Sequence, residues 1–193
     1  MIEYLNGRLI EKTPSYVVIE CNGIGYYVNI SLHSYSQLPS SEACKILTHV
    51  QIKEDAHNLF GFCTTDERNV FRQLITVSGI GTATAQMMLS SLSPNEVRSA
   101  IVNEDVNLLK SIKGIGAKTA QRVILDLKDK LGKEESVSEI SFTAHNTAKS
   151  KSLSALVALG FDRIQANKVL DTLLLKDEKL GVEELVKSAL KKL

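Results

Sequence analysis

The chain has 193 residues, 44% hydrophobic and 23% charged, and 23 basic against 22 acidic side chains leave a formal charge of +1. This is the composition of a globular protein able to bury a core, with no global positive field and no apolar run near the roughly eighteen residues of a membrane span. Cys21, Cys44 and Cys63 form no CxxC pair, His33, His49, His57 and His145 lie far apart, and the first residues show no secretory apolar core. A cytoplasmic chain with reduced cysteines, no metal and no cofactor is expected.

Residues 1–64 read as β-structure, with strands expected at Ile2–Ile10, Tyr16–Cys21, Tyr26–Ser31, Lys45–Ile52 and Asn58–Phe62. Asn22-Gly23 between the second and third is a strong hairpin dipeptide, because both residues tolerate positive φ. Five short strands in so short a span suggest a small closed barrel of the OB type, with a β-sandwich fragment as the alternative. This segment holds 4 basic and 6 acidic groups, a net charge of −2.

From Thr64 the period becomes helical. Thr64 and Glu67 have capping-box spacing ahead of Val70, Phe71, Leu74 and Ile75, and Ser93-Pro94-Asn95-Glu96 is a second helix start. The helical domain is expected over 65–135, with its last helix fading near Leu131. Residues 136–150, rich in Ser and Thr, read as a flexible linker. Residues 151–193 read as three short helices, the first stopped at Gly160 and the second capped by Asp162.

The central domain carries an internal duplication. Gly79-Ile80-Gly81-Thr82-Ala83-Thr84-Ala85-Gln86 returns 35 residues later as Gly114-Ile115-Gly116-Ala117-Lys118-Thr119-Ala120-Gln121, with six of eight positions identical. Leu74, Val77 and Leu92 reappear as Leu109, Ile112 and Leu127, and Ala85, Met88 and Leu89 as Ala120, Val123 and Ile124. Each copy reads as helix, tight Gly-Ile-Gly hairpin, helix. Glycines let a backbone come close to a ligand, and the unpaired amides of a helix start favour an anion. Two such copies point to a grip on DNA phosphates, with Ile80 and Ile115 as buried anchors. Lys118 and Arg122 add charge to the second copy, and Lys110 and Lys113 flank it.

Gly114 to Thr119 also looks superficially like a P-loop. That motif needs Gly directly before Lys118 and again at position 112, where Ala117 and Ile112 stand. No nucleophile elbow, zincin motif or EF-hand loop is present, so no catalytic residue is assigned and an ATP site is not expected. Beside a DNA-binding scaffold, two readings stay open: a repair enzyme that uses the hairpins for grip, and a protein-interaction adaptor.

Over essentially its full length the sequence resembles the RuvA family of bacterial Holliday-junction branch-migration proteins. The resemblance rests on Gly7-Arg8, Gly23-Ile24-Gly25-Tyr26, Thr48-His49, Lys53-Glu54-Asp55-Ala56 and Leu59-Phe60-Gly61-Phe62. It continues through Gly114-Ile115-Gly116 to Lys128-Asp129, and through Ala155-Leu156-Val157-Ala158-Leu159-Gly160-Phe161. It implies a multidomain α+β chain: a five-stranded OB-like barrel over 1–64, tandem helix-hairpin-helix units over 65–135, a linker over 136–150 and a small UBA-like three-helix domain over 151–193. It also implies a homotetramer, or an octamer of two tetramers, that holds a four-way junction open and square. The hairpins would hold duplex arms without reading sequence, in recombination and the repair of DNA damage. The ATPase RuvB would dock on the C-terminal domain through Leu156, Leu159, Phe161 and Leu190, with the resolvase RuvC as a further partner. Glu54 and Asp55 fall where the family has an acidic pin at the crossover. Ala83 and Ala117 stand where lysine is common in the family, and Lys53 where arginine is frequent, which implies a weaker and less salt-dependent grip.

Overall fold

The computed structural model of the chain describes residues 2–39, 41–138, 144–175 and 180–193. It divides into two compact units, Met1–Ser136 and Val137–Leu193.

The first unit begins with a closed barrel of five strands, β1 (Tyr4–Lys12), β2 (Tyr16–Cys21), β3 (Ile24–Ile30), β4 (Ala43–Ile52) and β5 (His57–Phe62), in the order β1-β2-β3-β5-β4. All pairs are antiparallel except β3 with β5, which is parallel. Asn22 and Gly23 both take positive φ, +51° and +83°, and so form the two-residue turn that the β2–β3 register requires. Strand alternation sends Val17, Ile19, Val28, Ile30, Cys44 and Ile46 inward with Leu5 and Leu38, and these form the barrel core. A short helix that the apolar pattern does not announce, α1 (Leu32–Gln37), follows β3 and is capped by Ser31.

Five helices complete the unit: α2 (Thr65–Leu74), α3 (Thr82–Ser91), α4 (Pro94–Val102), α5 (Val106–Ser111) and α6 (Ala117–Ser138). Ser93 and Glu96 close a reciprocal capping box, whose hydrogen bonds hold the Glu96 carboxyl below its usual range. The Thr64 box closes only halfway. Thr64 accepts from the Glu67 amide at 3.2 Å, but the Glu67 carboxylate turns inward to the hydroxyls of Ser31 and Ser34. Phe60 and Phe62 of β5 lie in one cluster with Val70, Phe71, Leu74 and the repeat residues. The change of periodicity at Thr64 therefore marks a change of architecture inside one packed body, because β5 lends its outer aromatic residues to the helical core.

Residues 136–150 do not form one continuous irregular segment. Helix α6 runs on through Ser138 and α7 starts at Ala144, while residues 139–143 of the expected linker lie outside the described residues. Lys133, Glu134 and Glu135 are good helix formers, so a loss of apolar period at Gly132 did not end the helix.

The second unit packs α7 (Ala144–Ala158), α8 (Arg163–Leu174) and α9 (Val182–Leu190) around Leu156, Ala166, Leu170, Leu173, Leu185 and Ala189. Gly160 at φ +96° closes α7: Phe161 N donates to Leu156 O at 3.1 Å and Gly160 N to Val157 O at 3.0 Å. Asp162 then caps α8 by accepting from the amides of Ile164 and Gln165.

Candidate nucleic-acid interface

The duplicated motif folds into two corners with the same glycine φ and the same backbone hydrogen bonds. Gly79 and Gly114 take φ of +95° and +93°, a region costing a side-chain-bearing residue about 1–2 kcal/mol. The next residue anchors each corner. Ile80 and Ile115 are 5% and 6% exposed, and their amides donate to Val77 O at 3.0 Å and Ile112 O at 3.1 Å. These isoleucines therefore hold the turns, and their N–H groups are already used within the chain.

Gly81 caps α3 without a side-chain hydrogen bond, and Ala85 N donates to its carbonyl at 2.9 Å. Gly116 stands in the same relation to Ala120 at the start of α6. The first-turn amides of Thr82, Ala83 and Thr84, and of Ala117, Lys118 and Thr119, have no partner within their own helices. A Cβ built on Gly81 or Gly116 meets nothing within 4 Å. No packing inside the chain thus calls for glycine at either position, and the bare backbone leaves room for a ligand atom to approach the amides. Ala83 contributes no charge, but its amide belongs to this set.

Charge divides the two corners. From Gln73 to Asn95 there is no charged residue, so the first corner's own segment offers backbone dipoles and neutral side chains. Around the second, Lys110, Lys113, Lys118 and Arg122 are all exposed, and Thr119 is half-buried. Arg122 sits at 3.9 Å from Asp126, too long to hold it firmly. Three arginines of the unit are committed elsewhere: Arg68 and Arg72 pair with Glu3 at 2.6 and 3.4 Å, and Arg98 with Asp66.

Glu54 and Asp55 occupy the exposed tip of the β4–β5 hairpin, closed by Lys53 N donating to Ala56 O at 2.8 Å. The strand leading to that tip touches the first corner, since Thr82 Oγ1 donates to Gln51 Oε1 at 3.2 Å. Helix α3 is held to the barrel region twice more. Gln86 Nε2 donates to Ile30 O at 2.5 Å, and Leu32 N to Ser90 Oγ at 3.1 Å. Gln121, the repeat counterpart of Gln86, is exposed. Sequence reasoning missed Gln51, since nothing local relates a strand-end glutamine to a threonine 31 residues on.

Leu159, Phe161 and Leu190 lie at the surface of the second unit to different degrees, Leu159 being 61% exposed, Leu190 exposed and Phe161 half-buried. Leu156 is corrected: it is fully buried in that unit's core and presents nothing to a partner. One helical stripe supplies both core and surface, and Leu156 lies on its inward side. Val157, Ile164 and Leu175, not singled out from the sequence, are exposed apolar residues of the same unit.

Among the described residues, no group of three or more His, Cys, Asp or Glu side chains could hold a metal ion, and no helix is long and apolar enough to cross a membrane. Burial pushes the Cys63 thiol up to about 11, so it stays protonated near neutrality.

Comparison with known proteins assigns these parts to families. Residues 1–61 match the model of the RuvA N-terminal domain, residues 71–129 that of a SAM-like helix-hairpin-helix tandem, and residues 152–193 that of the RuvA C-terminal domain. A protein of Christiangramia forsetii named Holliday junction branch migration complex subunit RuvA is 58% identical over 193 residues, all of both chains. Proteins of the same name from Flavobacterium psychrophilum and Alkaliphilus oremlandii are 48% and 36% identical, covering 100% and 99% of this chain and 100% and 98% of their own. Identity sustained from end to end, across a barrel, a hairpin tandem and a helical unit that each match in order, makes this chain a member of the RuvA family.

Proposed function

We propose that this chain is the non-catalytic, DNA-binding subunit of a branch-migration complex: it binds four-way junctions and holds them open for a motor. The carrying observation is the pair of exposed glycine-capped helix starts beside an acidic hairpin tip. Such amides hold phosphates without reading bases. Gly79, Gly81, Ala83, Gly114, Gly116, Lys118, Thr119 and Arg122 form the grip, anchored by Ile80 and Ile115. Glu54 and Asp55 repel the phosphates at the crossover and keep strands apart, with unit charges interacting by about 1 kcal/mol in water and more near a protein surface. This role gives a purpose to acidic residues in a protein that binds an acidic polymer.

A junction with four arms calls for four copies, so a homotetramer, or two tetramers face to face, is the expected assembly. The second unit, through Leu159, Phe161 and Leu190, recruits and stimulates the RuvB ATPase, and RuvC acts on the same junction. The site of action is the cytoplasm, in recombination and DNA repair.

The test is a gel-shift titration with a synthetic four-way junction and a matched linear duplex, without nucleotide or divalent metal. Strong preference for the junction is expected. Equal binding to both would reduce the chain to a duplex grip, and binding to neither by folded protein would leave only the adaptor reading.

A further inference from the structure

The two repeat corners share a backbone but not their surroundings. The second corner carries the exposed cations Lys110, Lys113, Lys118 and Arg122. The segment that forms the first, residues 73–95, has no charged residue of its own, and Gln51, Ile30 and Leu32 tie its helix to the barrel and to α1. A cation-rich loop gains affinity by releasing counterions, and this gain is the same on any duplex. A neutral loop contributes little of that kind, but one fixed by hydrogen bonds can set where a phosphate lies relative to the rest of the protein.

Here that relation is specific. Gln51 accepts from Thr82, the first residue of α3, and lies three positions before Glu54 on the same strand and turn. At about 3.3 Å per residue the acidic tip begins within about 10 Å of Gln51, or roughly three base-pair steps of DNA. A phosphate on the Thr82, Ala83 and Thr84 amides is therefore held at a set distance from Glu54 and Asp55. We infer that Gln51 is a positioning residue: its hydrogen bond to Thr82 couples the first corner to the acidic tip and so creates selectivity for a branch point, while the second corner supplies general duplex affinity. This inference rests on the junction-binding reading above and adds a division of labour to it.

The test compares Gln51→Met, which keeps the side-chain length but loses the acceptor, with Gln51→Glu, which keeps the acceptor. Competition titrations measure the ratio of junction to duplex affinity, and the log–log salt slope is measured on duplex. In Gln51→Met the ratio should fall about fivefold, the factor that one hydrogen bond supplies, with the salt slope unchanged and the melting temperature lowered by only a few degrees. Gln51→Glu should weaken both affinities through its added charge yet keep the ratio. Adding Glu54→Gln and Asp55→Asn to Gln51→Met should lower the ratio no further, because the tip is already uncoupled. A ratio retained in Gln51→Met, or lost equally in Gln51→Glu, overturns the positioning role. A wild-type protein with no junction preference instead overturns the proposed function itself.

Discussion

Ser34 Oγ donates to Glu67 Oε2 at 2.6 Å, joining the helix that follows β3 to the first turn of α2. Both residues are fully buried, and Ser31 Oγ holds the second carboxylate oxygen. Ser34 Oγ also accepts from Cys63 N at 3.2 Å, which brings the end of β5 into the same knot. A buried carboxylate is tolerated because each oxygen has a donor. Glu67→Ala strands both hydroxyls and should cost on the order of 3 kcal/mol, with Glu67→Gln losing less. Urea unfolding of the three proteins checks this, and equal midpoints would refute it.

Gly81→Asp combined with Gly116→Asp separates folding from DNA binding. Aspartate is a better helix cap than glycine, and both positions face open space, so the fold should be kept or gain a few tenths of a kcal/mol. Each new carboxylate stands where a phosphate would approach. Junction binding should disappear at a melting temperature equal to or above that of the unaltered chain; binding at normal strength would sink the phosphate-grip argument.

His49 packs edge-on against Phe71, with ring centroids 5.5 Å apart. Burial, and then the charges of Arg72 and Arg68, lower its pKa from the usual 6.5. The unfolded chain therefore takes up this proton more readily than the folded one. Stability is fully present above about pH 6.5 and declines as pH falls through the lowered value. The melting temperature should drop between about pH 7.5 and pH 5.5, and His49→Phe should flatten that drop.

In the second unit, Leu156 and Leu159 are three residues apart and opposite in role. Leu156→Ala opens a cavity in a small core and should cost about 2–5 kcal/mol. Leu159→Ala removes an exposed side chain and should leave stability within about 0.5 kcal/mol. The proposed docking role of Leu159 predicts that Leu159→Ala weakens stimulation of the RuvB ATPase without changing the melting temperature. Calorimetry beside an ATPase assay distinguishes the two.

Much of this molecule is written in local chemistry. Asn22-Gly23 dictates a two-residue hairpin, Ser93 with Glu96 a helix start, Gly160 a helix end, and the doubled Gly-Ile-Gly a pair of open amide corners. Each outcome depends on the φ preferences and side-chain reach of a few neighbouring residues, so the chain alone determines it. The strand order, the parallel pairing of β3 with β5, and the inclusion of Phe60 and Phe62 in the helical core were decided by tertiary structure. The same holds for the inward turn of Glu67, the burial of Leu156, and the link from Gln51 to Thr82. The links from Glu67 to Ser31 and Ser34, and from Gln51 to Thr82, join residues 31 to 36 positions apart in the sequence. No period or dipeptide encodes such a pairing; it exists only once closing the barrel has brought those surfaces together.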